Sequence, residues 1–104
     1  MKKCAHVTAT VNREKFAQMP AKEVLRSLEW AYDNVLLSTM ERFIMDDERV
    51  LSQVRIKGFQ RQLEVLRQRL LDKKSRGIIT DEKYQEADLI LTSLMERLSN
   101  RTAK

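Results

Sequence analysis

Cys4-Ala5-His6 places a thiol and an imidazole two residues apart, and these are the only cysteine and the only histidine of the 104-residue chain. Both groups are transition-metal ligands, but together they fill only half of a tetrahedral site, so a metal would need a second chain. As nucleophile and base the pair lacks an oriented third group and a pocket. The simpler reading is two ordinary residues of an N-terminal arm. The other dense cluster is the carboxylates Glu41, Asp46, Asp47 and Glu48. They lack the spacing and the glycine of an EF-hand loop and suit a solvated turn. The sequence has no glycine-rich phosphate loop. These residue types point away from catalysis, so neither an enzyme nor a cofactor or metal is expected.

Charge is the stronger signal. The net charge of +5 is unevenly spread: residues 51–77 hold eight basic and two acidic groups, whereas residues 21–50 hold four basic and seven acidic. Two readings compete for this basic rod. Its cations can pair with acidic neighbours, within a chain or across a dimer. Alternatively they face an anionic polymer, in which case Arg55, Lys57, Arg61, Arg69, Lys73 and Arg76 are the candidate nucleic-acid contacts. At about 100° per residue, Arg55, Gln62, Arg69 and Lys73 border the apolar line of Ile56, Phe59, Leu63, Leu66 and Leu70. Lys57 and Arg61 share the opposite face with Gln68, Glu64 and Asp72. Cations that border an apolar seam favour partner pairing. Only Phe59 interleaves with them, so the stacking platform of single-strand binders is missing.

The elements that must carry these groups are helices, because two glycines and one proline punctuate the whole chain. Proline is tolerated in a first helical turn, so a helix is expected from Met19 or Pro20. Its stripe is Val24, Leu25, Leu28, Ala31, Tyr32, Val35, Leu36, Met40, Phe43 and Ile44, with Trp30 and Leu37 off its centre. Asp46-Asp47-Glu48 interrupts the pattern. Either the chain breaks between Met45 and Glu48, with Asp46 or Asp47 capping the next helix, or one helix runs from Pro20 to Ser75 over roughly 80 Å. The break is preferred. The next helix is expected from about Asp47 to Ser75, with Leu51 and Val54 joining its apolar line. Gly58 inside it marks either an open surface or a close approach.

The joint that follows is a complete stop and start. Lys73, Lys74 and Arg76 suit a helix C-terminus, and Gly77 can take the left-handed conformation that ends a helix. Thr80 can cap the next helix, with Asp81 and Glu82 in its first turn. Tyr84, Ala87, Leu91, Leu94 and Leu98 then keep a 3-4 spacing to about Asn100, and Arg101 to Lys104 should fray. An αα-hairpin over residues 51–100 is therefore expected. Phe59, Leu63, Leu66, Leu70, Tyr84, Leu91, Leu94 and Leu98 form a narrow interaction seam that needs a partner.

Residues 1–19 read as an N-terminal arm, irregular or, as the alternative, a strand paired with its copy in a dimer. Ala5, Val7, Ala9 and Val11 alternate with His6, Thr8 and Thr10, the pattern of a short strand, and Asn12 can cap a short helix through Phe16 to Met19. A strand followed by two helices resembles the ribbon-helix-helix DNA-binding proteins over residues 2–45. That resemblance implies His6, Thr8 and Thr10 facing bases, with Lys2, Lys3 and Arg13 on phosphates. The run Leu70-Leu71-Asp72-Lys73-Lys74-Ser75-Arg76-Gly77-Ile78-Ile79-Thr80-Asp81-Glu82-Lys83-Tyr84 resembles the short C-terminal (SHOCT) helical hairpin of many bacterial proteins. It departs from that pattern at Lys83 and in its longer final helix. The resemblance implies oligomerisation or docking.

No uninterrupted apolar run exceeds three residues, so no membrane span is expected, and the basic start lacks the apolar stretch of a secretory signal. A single cysteine allows no internal disulfide, which fits a cytoplasmic protein. The expected protein is all-α: a three-helix bundle over residues 20–104 with an N-terminal arm, forming a homo-oligomer. The expected function is a non-enzymatic adaptor or regulator that works through helix–helix contacts with a protein partner. A small nucleic-acid-binding accessory protein is the alternative.

Overall fold

The computed structural model describes residues 13–33 and 35–102, and all regular structure among them is helical. The helices are α1 (residues 13–18), α2 (Ala21–Ser27), α3 (Leu37–Met45), α4 (Gln53–Ser75) and α5 (Asp81–Thr102). The segment Ala5 to Val11, expected as an irregular arm or as a strand paired with its copy in a dimer, the helix cap Asn12 and the Cys4-Ala5-His6 pair lie outside the described residues. α4 and α5 make an antiparallel hairpin, and α2 and α3 lie along α5. The core runs the length of this spine, with Leu63, Leu66, Leu70, Leu91 and Leu98 completely buried.

The hairpin turn is built from the expected residues. Gly77 has a φ of +73°, and the N–H groups of Ile78 and Gly77 donate to the carbonyls of Lys73 (3.0 Å) and Lys74 (2.9 Å). This pair of bonds satisfies the last carbonyls of α4 in a Schellman closure. Thr80 Oγ1 then accepts from the Lys83 N–H at 3.2 Å, starting α5. Ile79, buried to 3% exposure, anchors the turn in the core. Gly58 is different: a Cβ there would meet nothing within 4 Å, so it is an open-surface glycine. Gly58→Ala should therefore stabilise the protein by up to about 1 kcal/mol, whereas Gly77→Ala should cost about 1–2 kcal/mol, read from urea midpoints.

Four expectations need correction. The helix expected from Pro20 to Met45 is two helices: the chain leaves α2 at Leu28 and enters α3 at Leu37. Ala31, Tyr32 and Leu36 are consequently exposed, while Leu37 is completely buried. The break at Met45 is present, but neither Asp46 nor Asp47 starts the next helix. Asp46 closes a turn by accepting from the Glu48 N–H (3.2 Å), and α4 begins after Ser52, whose hydroxyl accepts from the Arg55 N–H (3.2 Å). Val54 is 83% exposed and outside the apolar line. Finally, Arg101 does not fray.

Arg69 explains the first correction. Its guanidinium forks onto Asp33, with Nη1–Oδ2 at 2.8 Å and Nη2–Oδ1 at 2.9 Å, and Nη1 also donates to the Leu28 carbonyl at 2.9 Å. The Trp30 ring lies 3.8 Å from the same guanidinium carbon. Asp33 in turn accepts from the Trp30 N–H, and Glu29 Oε2 caps α3 by accepting from the Leu37 N–H at 2.8 Å. A local turn with a guanidinium at its centre replaces the helical hydrogen bonds of this stretch. The Arg69 hydrogen bonds hold the Asp33 carboxyl down to about 2; burial opposes them and the Trp30 N–H assists. A depressed carboxyl stabilises the fold above its unfolded value, and that contribution is lost as pH falls through the folded one. The Asp33 side chain is only 6% exposed, so about 2 kcal/mol should disappear between about pH 4 and pH 2. Denaturation by urea across this range should show the loss, and Asp33→Asn should flatten it.

Arg101 explains the last correction. From the end of α5, Nη1 donates to the carbonyls of Phe43 (3.1 Å) and Arg49 (3.3 Å), while Nη2 donates to those of Ile44 (2.8 Å) and Asp46. These include carbonyls that the end of α3 leaves without helical partners, so a side chain 16% exposed serves as its C-cap. On the opposite edge of the hairpin, Arg67 joins α4 to α5 through Asp88 (3.1 Å) and Thr92 (3.0 Å).

Candidate interaction surface

The residues expected to form the interaction seam do come together, but on the inside of one chain. Phe59, Leu63, Leu66, Leu70, Leu91, Leu94 and Leu98 are all at most 5% exposed, and Tyr84 is half-buried with the Lys74 ammonium 4.5 Å from its ring centre. Val24, Leu25, Leu28, Leu37, Met40 and Ile44, from α2 with its cap and from α3, complete the same core. The narrowness of the seam is thus answered by this chain's own first half. Burying it does not require a second copy.

The candidate nucleic-acid contacts divide. Arg69 is spent on Asp33, and Arg76 Nε pairs with Asp72 Oδ2 one turn earlier at 3.2 Å. The Arg55 and Arg49 guanidiniums lie 4.7 and 4.4 Å from the centre of the Phe43 ring, which meets Phe59 edge-on at 5.9 Å. That leaves exposed Lys57 and Arg61 and half-buried Lys73, none of which forms an ion pair among the described residues. His6, Thr8, Thr10, Lys2 and Lys3 lie outside the described residues.

One open surface is mainly apolar with a charged rim. Between α3 and the outer face of α5 runs a groove of about 340 Å³, lined by Lys22, Glu41, Met45, Leu89, Ile90, Ser93, Leu94 and Arg97. Leu89 is 66% exposed and Met45 is 52% exposed. The periodicity of α5 explains this. Ala87, Leu91, Leu94 and Leu98 turn inward, and Leu89, about 200° round the helix from both Ala87 and Leu91, must turn outward. On the rim, Lys22 Nζ holds Glu41 Oε2 at 2.9 Å, whereas Glu41 Oε1 has no hydrogen-bond partner among the described residues. Arg97 has neither a hydrogen bond nor an ion pair among the described residues. A second open cleft of about 840 Å³ lies where the α3–α4 connection meets the ends of α4 and α5. Two of its three arginines are committed, Arg101 to carbonyls and Arg49 to Asp46 and the Phe43 ring.

Sequence reasoning passed over Leu89, Met45 and Arg97. The available signal was Leu89 itself, a large apolar residue nearly opposite an otherwise complete stripe. Such a groove can hold apolar side chains of another helix, with Arg97 free to meet a carboxylate. A comparison with known protein families, curated proteins and solved structures finds no match.

Proposed function

We propose that this chain is a non-enzymatic adaptor or regulator of the cytoplasm that docks another protein helix into the α3–α5 groove. One observation carries the reading: the core closes within a single chain, yet Leu89 and Met45 stay exposed in the same groove. Large apolar side chains gathered in a groove mark interaction sites more often than isolated ones do. The resemblance of residues 70–84 to docking and oligomerisation hairpins supports the same function. The basic excess of residues 51–77 supports nucleic-acid binding as the second reading. It is the weaker one, because two of the six candidate cations, Arg69 and Arg76, already face the carboxylates of Asp33 and Asp72, which leaves fewer charges to release counterions from phosphates.

The test is a photo-cross-linking amino acid at position 89, with a control at exposed Glu64 on α4. Discrete protein adducts from position 89 alone are expected. Submicromolar, salt-dependent binding to duplex DNA at physiological salt, without protein adducts, overturns the docking reading in favour of the second.

A further inference from the structure

We infer that the occupant of the α3–α5 groove is α5 of a second copy of this chain, laid antiparallel across a two-fold axis; this rests on the docking function proposed above. The outer face of α5 is self-complementary. Glu86 and Arg97 lie about three helical turns apart, and therefore on one face, equally far from the Leu91–Thr92 peptide bond. Ile90 and Ser93 flank that same bond at equal distance. An antiparallel copy with its axis there sets Glu86 against Arg97 of the second copy, and Arg97 against Glu86, in one isologous contact. Ile90 then meets Ser93 of the second copy twice, and the small serine lets the helices approach closely. Leu89 of each copy borders the contact.

The charges are available for this role. Arg97 has no ion pair among the described residues, and Glu86, 58% exposed, holds only Lys83 one turn back at 3.4 Å. A parallel copy would instead place Arg97 beside Arg97 and Glu86 beside Glu86. Charge pairs at the edge of a helical contact select orientation in this way. The pattern therefore favours a second copy over an unrelated helix, and an antiparallel one over a parallel one.

The test is a charge swap read by light scattering and sedimentation equilibrium on the full chain. The unaltered protein is expected to be a dimer. Glu86→Arg and Arg97→Glu singly should each weaken the dimer at least about tenfold, and the double variant should restore it. Both side chains are exposed, so circular dichroism should show every variant fully helical. A monomeric unaltered protein, or a dimer that ignores the swap, overturns the second-copy occupant. In either case adducts from position 89 to a different protein leave the docking function standing, and their absence removes both.

Discussion

Arg69→Ala should lower the free energy of unfolding by about 3–5 kcal/mol, the cost of leaving a buried charge without its partner. Asp33, 6% exposed, would lose both arms of the guanidinium fork. The Leu28 carbonyl would lose its donor and the Trp30 ring its cation. Arg69→Lys should recover little, because an ammonium cannot reproduce the planar fork and the stacking together. Removing both partners, as in Asp33→Leu with Arg69→Met, should cost less than removing Arg69 alone, since no orphaned charge remains. Arg67→Ala is the control: Arg67 and Asp88 are 34% and 28% exposed, and their loss should cost about 1 kcal/mol or less. Urea denaturation at pH 7 measures all four. A loss at Arg69 no larger than at Arg67 would sink the claim that this guanidinium organises the α2–α3 break.

Leu66→Ala and Leu91→Ala should each cost about 2–5 kcal/mol, while Leu89→Ala, on the face of α5 turned away from the core, should stay within about 0.5 kcal/mol. Leu66 and Leu91 are completely buried between α4, α5 and the covering helices, so truncation leaves a cavity as well as losing apolar burial. Leu89 is mostly in water already and loses little in the monomer. Dilute samples read by thermal and urea unfolding isolate this difference from association. Equal losses at positions 89 and 91 would mean that α5 is rotated from the orientation described.

The hairpin was legible in the sequence because everything that builds it is local. The 3-4 spacing of Leu63, Leu66 and Leu70, the glycine at position 77 and the threonine at position 80 act within a few residues of themselves. The division of residues 20–45 was not legible, because the stretch has a helical apolar pattern and no glycine. It breaks on an arginine 36 residues away from Asp33. The narrow seam misled for a related reason: periodicity shows that a face is apolar and leaves open whether the cover comes from the same chain. Leu89 and Arg97 carry the candidate site only once α3 is known to lie beside α5.

The two arginine clips also impose an order on synthesis. Asp33 precedes Arg69, and the carbonyls of Phe43 and Ile44 precede Arg101, by 36 to 58 residues. A ribosome therefore delivers every acceptor well before its donor. A nascent chain that has completed α3 holds bare carbonyls and an unmatched carboxylate, and its bend between α2 and α3 rests on local hydrogen bonds such as Glu29 to the Leu37 N–H, without the Arg69 fork. Its first half should stay open to chaperones and proteases until α4 and α5 emerge, so that docking of the N-terminal helices reports that the C-terminal ones have been made.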